Sequence, residues 1–156
     1  MGKEEQMMLE IRQVFNKMAW LNKLKMEKAL AGHSPSEVHC IEYIGKHPET
    51  NVTQLATAFF MTKGAISKLT QKLINKKLIV RYQKKENKKE VYFCLTDKGH
   101  EIFDIHEKLH QEFRQRDKEI LDELTPEQID KVLSFTERYS QHLDLEIAKK
   151  QFPDNK

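Results

Sequence analysis

The stretch His106-Glu107-Lys108-Leu109-His110 puts two imidazoles one helical turn apart with a carboxylate between them. In zinc hydrolases such histidines hold the metal and the glutamate activates water. A zinc-dependent hydrolase built on His106, Glu107 and His110 is therefore one reading of this chain. The neighbouring residues oppose it. Lys108 is a charge at a position where those enzymes usually have an uncharged residue, and Phe113 and Arg116 stand where the longer zinc motif needs Gly and His. Glu119 and Glu123 fall on the same expected helix and cannot fold back as a third ligand. No enzymatic activity is expected.

A second chemistry is spread over residues 62–89, which hold ten Lys/Arg and one acid, Glu86, while the remaining residues carry 17 basic and 23 acidic side chains. Positive charge concentrated in this way suits the phosphates of a nucleic acid. The spacing around it is that of a reading unit. Thr53 can cap a short helix carrying Leu55, Ala56 and Phe59/Phe60. Met61 falls in a tight turn, and Thr62 caps a second helix over 63–76 with Ile66, Leu69, Leu73 and Ile74 at helical spacing. Two short helices joined by a few residues fit a helix-turn-helix, whose second helix enters the major groove. A β-branched run (Leu78–Val80), a basic turn (Gln83–Lys89) and an alternating run (Val91–Leu95) then predict a hairpin beside the second helix, the plan of a winged helix.

Roles follow from position. Thr62, Lys63, Gly64 and Ala65 open the reading helix, where base edges are met and free N–H groups favour phosphate. Ser67, Lys68, Gln71 and Lys72 follow at face spacing, with Gln71 suited to adenine. Arg81, Lys84, Lys85, Lys88 and Lys89 supply backbone and minor-groove contacts. The bland alternative is that the lysine run is only a solvated turn.

The flanking elements are expected to be helical. Residues 5–30 carry Met8, Ile11, Phe15, Met18, Leu21 and Leu24 near heptad spacing, and Gly32 is expected at C′. Ser34-Pro35-Ser36-Glu37 reads as a capping box opening a helix with Val38, Ile41 and Ile44. Thr96 caps a long helix to about Leu124, with Ile102, Ile105, Leu109, Phe113, Ile120 and Leu121 on one face and Gly99 tolerable in its first turns. Thr125-Pro126-Glu127-Gln128 is another capping box, opening a helix with Ile129, Val132, Leu133, Phe135, Tyr139 and Leu143. Residues 150–156 are expected to fray.

The expected organisation is a single chain, 1–156, mainly α with a small β-wing. The winged helix-turn-helix covers 34–97, with dimerisation helices over 5–31 and 98–149. The composition, 38% hydrophobic and 33% charged, suits long helices whose stripes are covered by a second copy. A two-fold dimer would set two reading helices on a palindromic site. No apolar run is long enough for a membrane span, and the start MGKEEQMMLE has no apolar segment, so no membrane partner and a cytoplasmic location are expected. The two cysteines, Cys40 and Cys94, make no disulfide framework. Cys40 could sense oxidants if its thiolate were stabilised, or serve as a small buried hydrophobe.

The segment MTKGAISKLTQKLINKKLI, the wing and the exit LTDKG at Leu95–Gly99 resemble, in this order, the MarR family of bacterial transcription regulators over about residues 8–146. The resemblance implies a dimeric, sequence-specific DNA-binding protein, most often a repressor released by an effector. Two departures stand out. Asn87 and Lys89 occupy the places of the Asp-x-Arg motif usual in family wings, so the bidentate fork of arginine is lost. Lys77 stands where a Gly is usual after the reading helix, and would be strained if that site is left-handed.

The resemblance also bears on the histidines. Zinc-responsive members use a His early in the second helix and a His-x₃-His on the fifth element, which His39, His106 and His110 match, with Glu27 the nearest acid on the first helix. Members that control fatty-acid synthesis are similar around HCIEYIGK and the His-x₃-His and are associated with acylated carrier protein. Zinc, an acyl or other apolar effector, and a merely structural role for His39, His106 and His110 all stay open. An apolar effector would make the site sensitive to enlarging Ile105 or Leu109.

Overall fold

The computed structural model describes residues 1–151 as α1 (Lys3–Ala29), α2 (Pro35–Lys46), α3 (Val52–Phe59), α4 (Lys63–Asn75), β1 (Ile79–Lys84), β2 (Asn87–Leu95), α5 (Asp97–Asp122) and α6 (Pro126–Gln151). The fold is mainly helical with one two-stranded antiparallel sheet, in the order the hydrophobic periods predict. Most of the fraying expected at 150–156 lies outside the described residues; Lys150 and Gln151 are helical.

Helices α2, α3 and α4 and the hairpin close on one core of Cys40, Ile41, Ile44, Leu55, Ile66, Leu73, Leu78, Ile79 and Phe93. Ile66 and Leu73 lie two turns apart on α4, so they share its inner face and leave the other face outside. A smaller cluster, Leu30, Val38, Leu109 and Phe113, fastens the end of α1 and the start of α2 to α5. The rest of α1 is poorly covered: Ile11, Phe15, Met18, Leu21 and Leu24 are all exposed. Residues 1–113 form one compact unit and the chain from Arg114 a second. In that second unit Ile129, Val132, Leu133, Phe135 and Leu143 of α6 are exposed as well.

The helix starts follow local chemistry, with two corrections. Thr62 Oγ1 accepts from Ala65 N at 3.1 Å, Thr96 Oγ1 from Gly99 N at 3.1 Å, and Thr125 and Gln128 form the reciprocal box. Helix α3, however, is capped by Asn51, which makes the reciprocal box with Gln54; Thr53 lies inside the first turn. Asn51 Oδ1 accepts from Gln54 N at 2.9 Å and Asn51 N donates to Gln54 Oε1 at 3.1 Å, so the helix opens two residues before a Thr53 cap would place it. At α2, Ser34 Oγ accepts from Glu37 N at 3.2 Å, but the Glu37 carboxylate turns to lysines of α4, so the expected box is half formed. Helix α1 ends one turn position earlier than Gly32 implied: Leu30 is the C-cap, and Gly32, at φ +87°, shapes the turn beyond it.

The wing is longer than the alternating run suggested. Pairing joins Ile79 to Leu95 and continues through Tyr82–Tyr92 to Lys84–Asn87, with a bulge between Tyr82 and Lys84. Most of the expected basic turn is therefore strand, and only Lys85 and Glu86 cross over.

The passage from α4 to β1 holds these parts in register. Lys77 has φ +62°, Leu78 N donates to Leu73 O at 3.0 Å and Lys77 N to Ile74 O at 2.9 Å. These two bonds form a Schellman motif with a lysine in the left-handed position. Leu78 O accepts from Thr96 N at 3.1 Å. A Cβ on Gly99 would lie 2.0 Å from that same Leu78 oxygen, so Gly99 is required, where the sequence suggested only that it is tolerable. Lys77→Gly is expected to stabilise the fold by about 1 kcal/mol, because a left-handed L-residue costs roughly 1–2 kcal/mol and glycine returns part of that as entropy. Gly99→Ala is expected to destabilise it by about 2 kcal/mol or more through overpacking against backbone. Urea unfolding of both variants measures the two effects.

Candidate nucleic-acid interface and histidine cavity

The outer face of α4 carries Thr62, Lys63, Gly64, Ser67, Lys68, Gln71 and Lys72, all exposed, with Ala65 half-buried. The hairpin beside it exposes Arg81, Lys85, Lys88 and Lys89. These residues form one basic surface, but several already have partners. Lys84 pairs with Glu49 and lies 5.4 Å from the Tyr92 ring centroid. Gln71 accepts from Arg81 at 2.9 Å and donates to Asn75 at 2.9 Å, so its amide is held in one orientation and Arg81 is tied to α4. Lys72 Nζ reaches Glu37 Oε1 at 2.8 Å. Asn87 Oδ1 accepts from Lys89 N at 3.1 Å, which shapes the wing tip at the place of the family's acid.

Helices α1, α2 and α5 and the α1–α2 turn border a cavity of about 400 Å³ lined by Ala19, Asn22, Lys23, Met26, Glu27, Leu30, His33, Pro35, Val38, His39, His106 and His110. His106 is 2% exposed, and its Nε2 lies 3.2 Å from His110 Nε2. His39 is exposed, with its ring centroid 6.4 Å from that of His106. Leu109 points instead into the second core cluster, and neither it nor Ile105 lines the cavity. The residues whose enlargement would narrow the cavity are Ala19 and Val38.

The structure brings in an acid that the sequence had not singled out. Glu42, His106 and His110 each offer a donor atom, all within 4.8 Å of one another, and Glu42 Oε2 is 3.8 Å from His106 Nδ1. Glu42 follows His39 by three residues and so shares its helical face; that spacing was the available signal. Burial pushes the His106 pKa down and so favours the neutral imidazole; Glu42 opposes this, and His110 and His39 add to it. Burial also works against a charged Glu42, but the hydrogen bond and positive charge of Lys46 oppose it and the pKa is held low. A neutral imidazole beside a carboxylate is a donor set that suits zinc. Two nitrogens on a tetrahedral zinc at about 2.0–2.1 Å would stand about 3.3 Å apart, close to the 3.2 Å between the two Nε2 atoms; His106 Nδ1, on the other edge of the ring, has no hydrogen-bond partner and has Glu42 Oε2 at 3.8 Å. Glu27 lines the cavity without joining this cluster. Glu107, the base of a hydrolase reading, is paired with Lys46 at 2.9 Å.

Cys40 is fully buried and burial pushes its thiol up to about 12. It is a core residue with almost no thiolate at neutral pH, which removes the oxidant-sensing alternative. Cys94 is exposed on β2 opposite Val80. Glu37 was expected only as a capping residue, yet it is 1% exposed. Burial opposes its charge, but Lys72 and Lys76 bring its pKa down to about 2.

The family model of the MarR family matches residues 34–91, the stretch from the start of α2 into β2. Among curated proteins the chain is similar to the HTH-type transcriptional regulator PchR of Bacillus subtilis (strain 168), 39% identical over 111 residues, covering 71% of this chain and 66% of that protein. It is also similar to the uncharacterized HTH-type transcriptional regulator YhjH of the same organism, 35% identical over 94 residues and covering 60% of this chain and 54% of that protein. The chain thus spans between about half and two thirds of the length of these relatives. Among solved structures, Streptococcus pneumoniae FabT in complex with DNA superposes with a TM-score of 0.77 at 22% identity, covering 91% of this chain and 98% of that one; at such identity the likeness shows the fold. With the helix pair, the hairpin wing and the glycine-gated entry to α5 in place, these likenesses show that the chain belongs to the MarR family of winged helix-turn-helix transcription regulators.

Proposed function

We propose that this chain is a homodimeric repressor that reads a palindromic operator with α4 and the wing, and that an effector in the histidine cavity releases it. The observation that carries this is the exposed outer face of α4 beside a basic hairpin, on a fold whose neighbour FabT was solved in complex with DNA. Members of this family are regulators rather than enzymes, and Glu107 is held by Lys46, so the hydrolase alternative falls away. The dimer is supported by the exposed apolar residues of α1 and, separately, of α6; a second copy would cover them, and two-fold closure matches a two-fold site.

Two effectors fit the cavity, each for its own reason. The Glu42–His106–His110 cluster favours zinc; His39 lies outside that cluster, its ring centroid 6.4 Å from that of His106. Bound there, zinc would cross-link α2 to α5. The apolar walls of Ala19, Met26, Leu30 and Val38 favour an acyl chain or another apolar ligand, delivered free or on a carrier protein. Either ligand acts only through different affinity for the DNA-competent and released states.

The DNA measurements use an operator selected from random duplexes by the protein itself. Light scattering at micromolar concentration should report a dimer; a stable folded monomer would overturn the interface. Lys89→Ala should weaken operator and random DNA alike and lower the salt slope by about 0.9 per lost phosphate contact. Lys68→Ala should instead narrow the gap between the two duplexes, and equal losses for both substitutions would refute the assignment of α4. For the effector, the triple His39/His106/His110→Ala variant should lose zinc binding in a chelator competition and its zinc effect on operator affinity. In the parent that effect should fade below about pH 6, where imidazoles protonate. If palmitate or an acyl carrier acts instead, Val38→Phe should abolish its effect and zinc should have none. A triple variant that answers both as the parent does would place the effector elsewhere.

A further inference from the structure

Glu37 sits at the third position of α2, 39 residues from Lys76 along the chain. Its two oxygens are divided between two lysines of the reading helix: Oε1 takes Lys72 at 2.8 Å and Oε2 takes Lys76 at 2.6 Å. Lys76 Nζ also donates to Gly32 O at 2.8 Å, and His33 Nδ1 stands 3.5 Å from Glu37 Oε2. The carboxylate is 1% exposed, whereas side-chain exposure is 59% for Lys72 and 31% for Lys76. A capping box would have turned this carboxylate back to Ser34. The structure turns it across to another helix, at the end of α4 that lies away from Thr62 and Lys63.

Charge on α4 is thereby unequal along its length. Lys63 and Lys68 have no acid within ion-pair distance in the described structure, while Lys72 and Lys76 share one buried acid. Lysines free to meet phosphate add affinity for any duplex without regard to sequence. Lysines held by a buried carboxylate add less, because moving to phosphate gives up a charge-assisted hydrogen bond to an acid that is 1% exposed, and departure of both would leave that acid unpaired inside the protein.

We propose that Glu37 is a positioning residue for DNA reading: it pins the C-terminal half of α4 to the α1–α2 turn and withholds Lys72 and Lys76 from the phosphate backbone, so that the N-terminal half of the helix selects sequence. This rests on α4 being the DNA-facing helix. A residue that served stability alone would lower all binding when altered. A residue that withholds cations should, when altered, strengthen binding to random DNA.

The test is fluorescence anisotropy of the full-length protein on the selected operator and on a random duplex of equal length, across a salt series. Glu37→Gln keeps the shape and removes the charge. Random-duplex binding should tighten, its salt slope should steepen by about 1–2 per protomer as the lysines are freed, and the operator-to-random ratio should fall several-fold. Lys72→Ala, which leaves Glu37 paired with Lys76 and so preserves the fold, should leave the slope unchanged. Lys89→Ala, on the wing, should lower it by about 1, while Lys68→Ala should narrow the operator-to-random ratio. If Lys68→Ala has no effect or weakens both duplexes equally, the reading of α4 fails and this proposal with it. If Lys68→Ala behaves as expected but Lys72→Ala lowers the slope as much as Lys89→Ala does, or Glu37→Gln weakens both duplexes with no steeper slope, the withholding role alone is overturned. Should Glu37→Gln not fold, the Lys72→Ala and Lys89→Ala slopes decide by themselves.

Discussion

The turn at Lys77–Leu78 is the constraint on which the rest of the fold depends. Within two residues the chain ends the reading helix, starts the wing and receives the first turn of α5. Leu78 is fully buried, its N–H closes α4 through Leu73 and its carbonyl accepts from Thr96. Thr96 in turn donates to Lys77 O at 2.7 Å, and Gly99 leaves room for the carbonyl that lies against it. A lysine in the left-handed position is the cost of this arrangement, and it persists because hydrogen bonds and burial on both sides over-determine it. Helix, wing and the start of α5 are therefore joined through Lys77 and Leu78.

The second tie is electrostatic. Glu37 links the start of α2 to the end of α4 through a buried, doubly paired carboxylate, and the turn that carries it also carries His33, a wall of the cavity. A buried ion pair is weak evidence for stability, but it is directional and fixes where its partners stand. Together with the Leu78 junction it leaves α4 held at its C-terminal end and exposed at its N-terminal end.

The cavity itself is built by elements of three different jobs. Helix α1 contributes Met26 and Glu27, the α1–α2 turn His33, α2 His39, and α5 His106 and His110. Burial pushes the pKa of His106 down, and Glu42 Oε2 stands 3.8 Å from its Nδ1. Metal-ligating side chains and apolar walls thus lie close together here, and the two proposed effectors rest on these two features.

Sequence alone determined most of the local architecture, because caps and periods act over a few residues. Thr62, Thr96 and Thr125 cap as their types require, Ile66 and Leu73 fall inside as their spacing requires, and the strain at Lys77 was legible because glycine was missing where a left-handed residue belongs. The family, too, was legible from the order of reading segment, wing and LTDKG exit. Tertiary structure decided whatever depended on partners far along the chain. Glu37 looked like half of a capping box until Lys72 and Lys76 arrived 35 and 39 residues later. Gly99 looked tolerable until the carbonyl of Leu78 filled the place of its Cβ. Glu42 carried no signal beyond its step from His39 until α5 packed on α2 and set His106 and His110 beside it. Local hydrogen bonds are written into neighbouring residues, but which charges meet is settled only when the core closes and brings distant helices within a few ångströms.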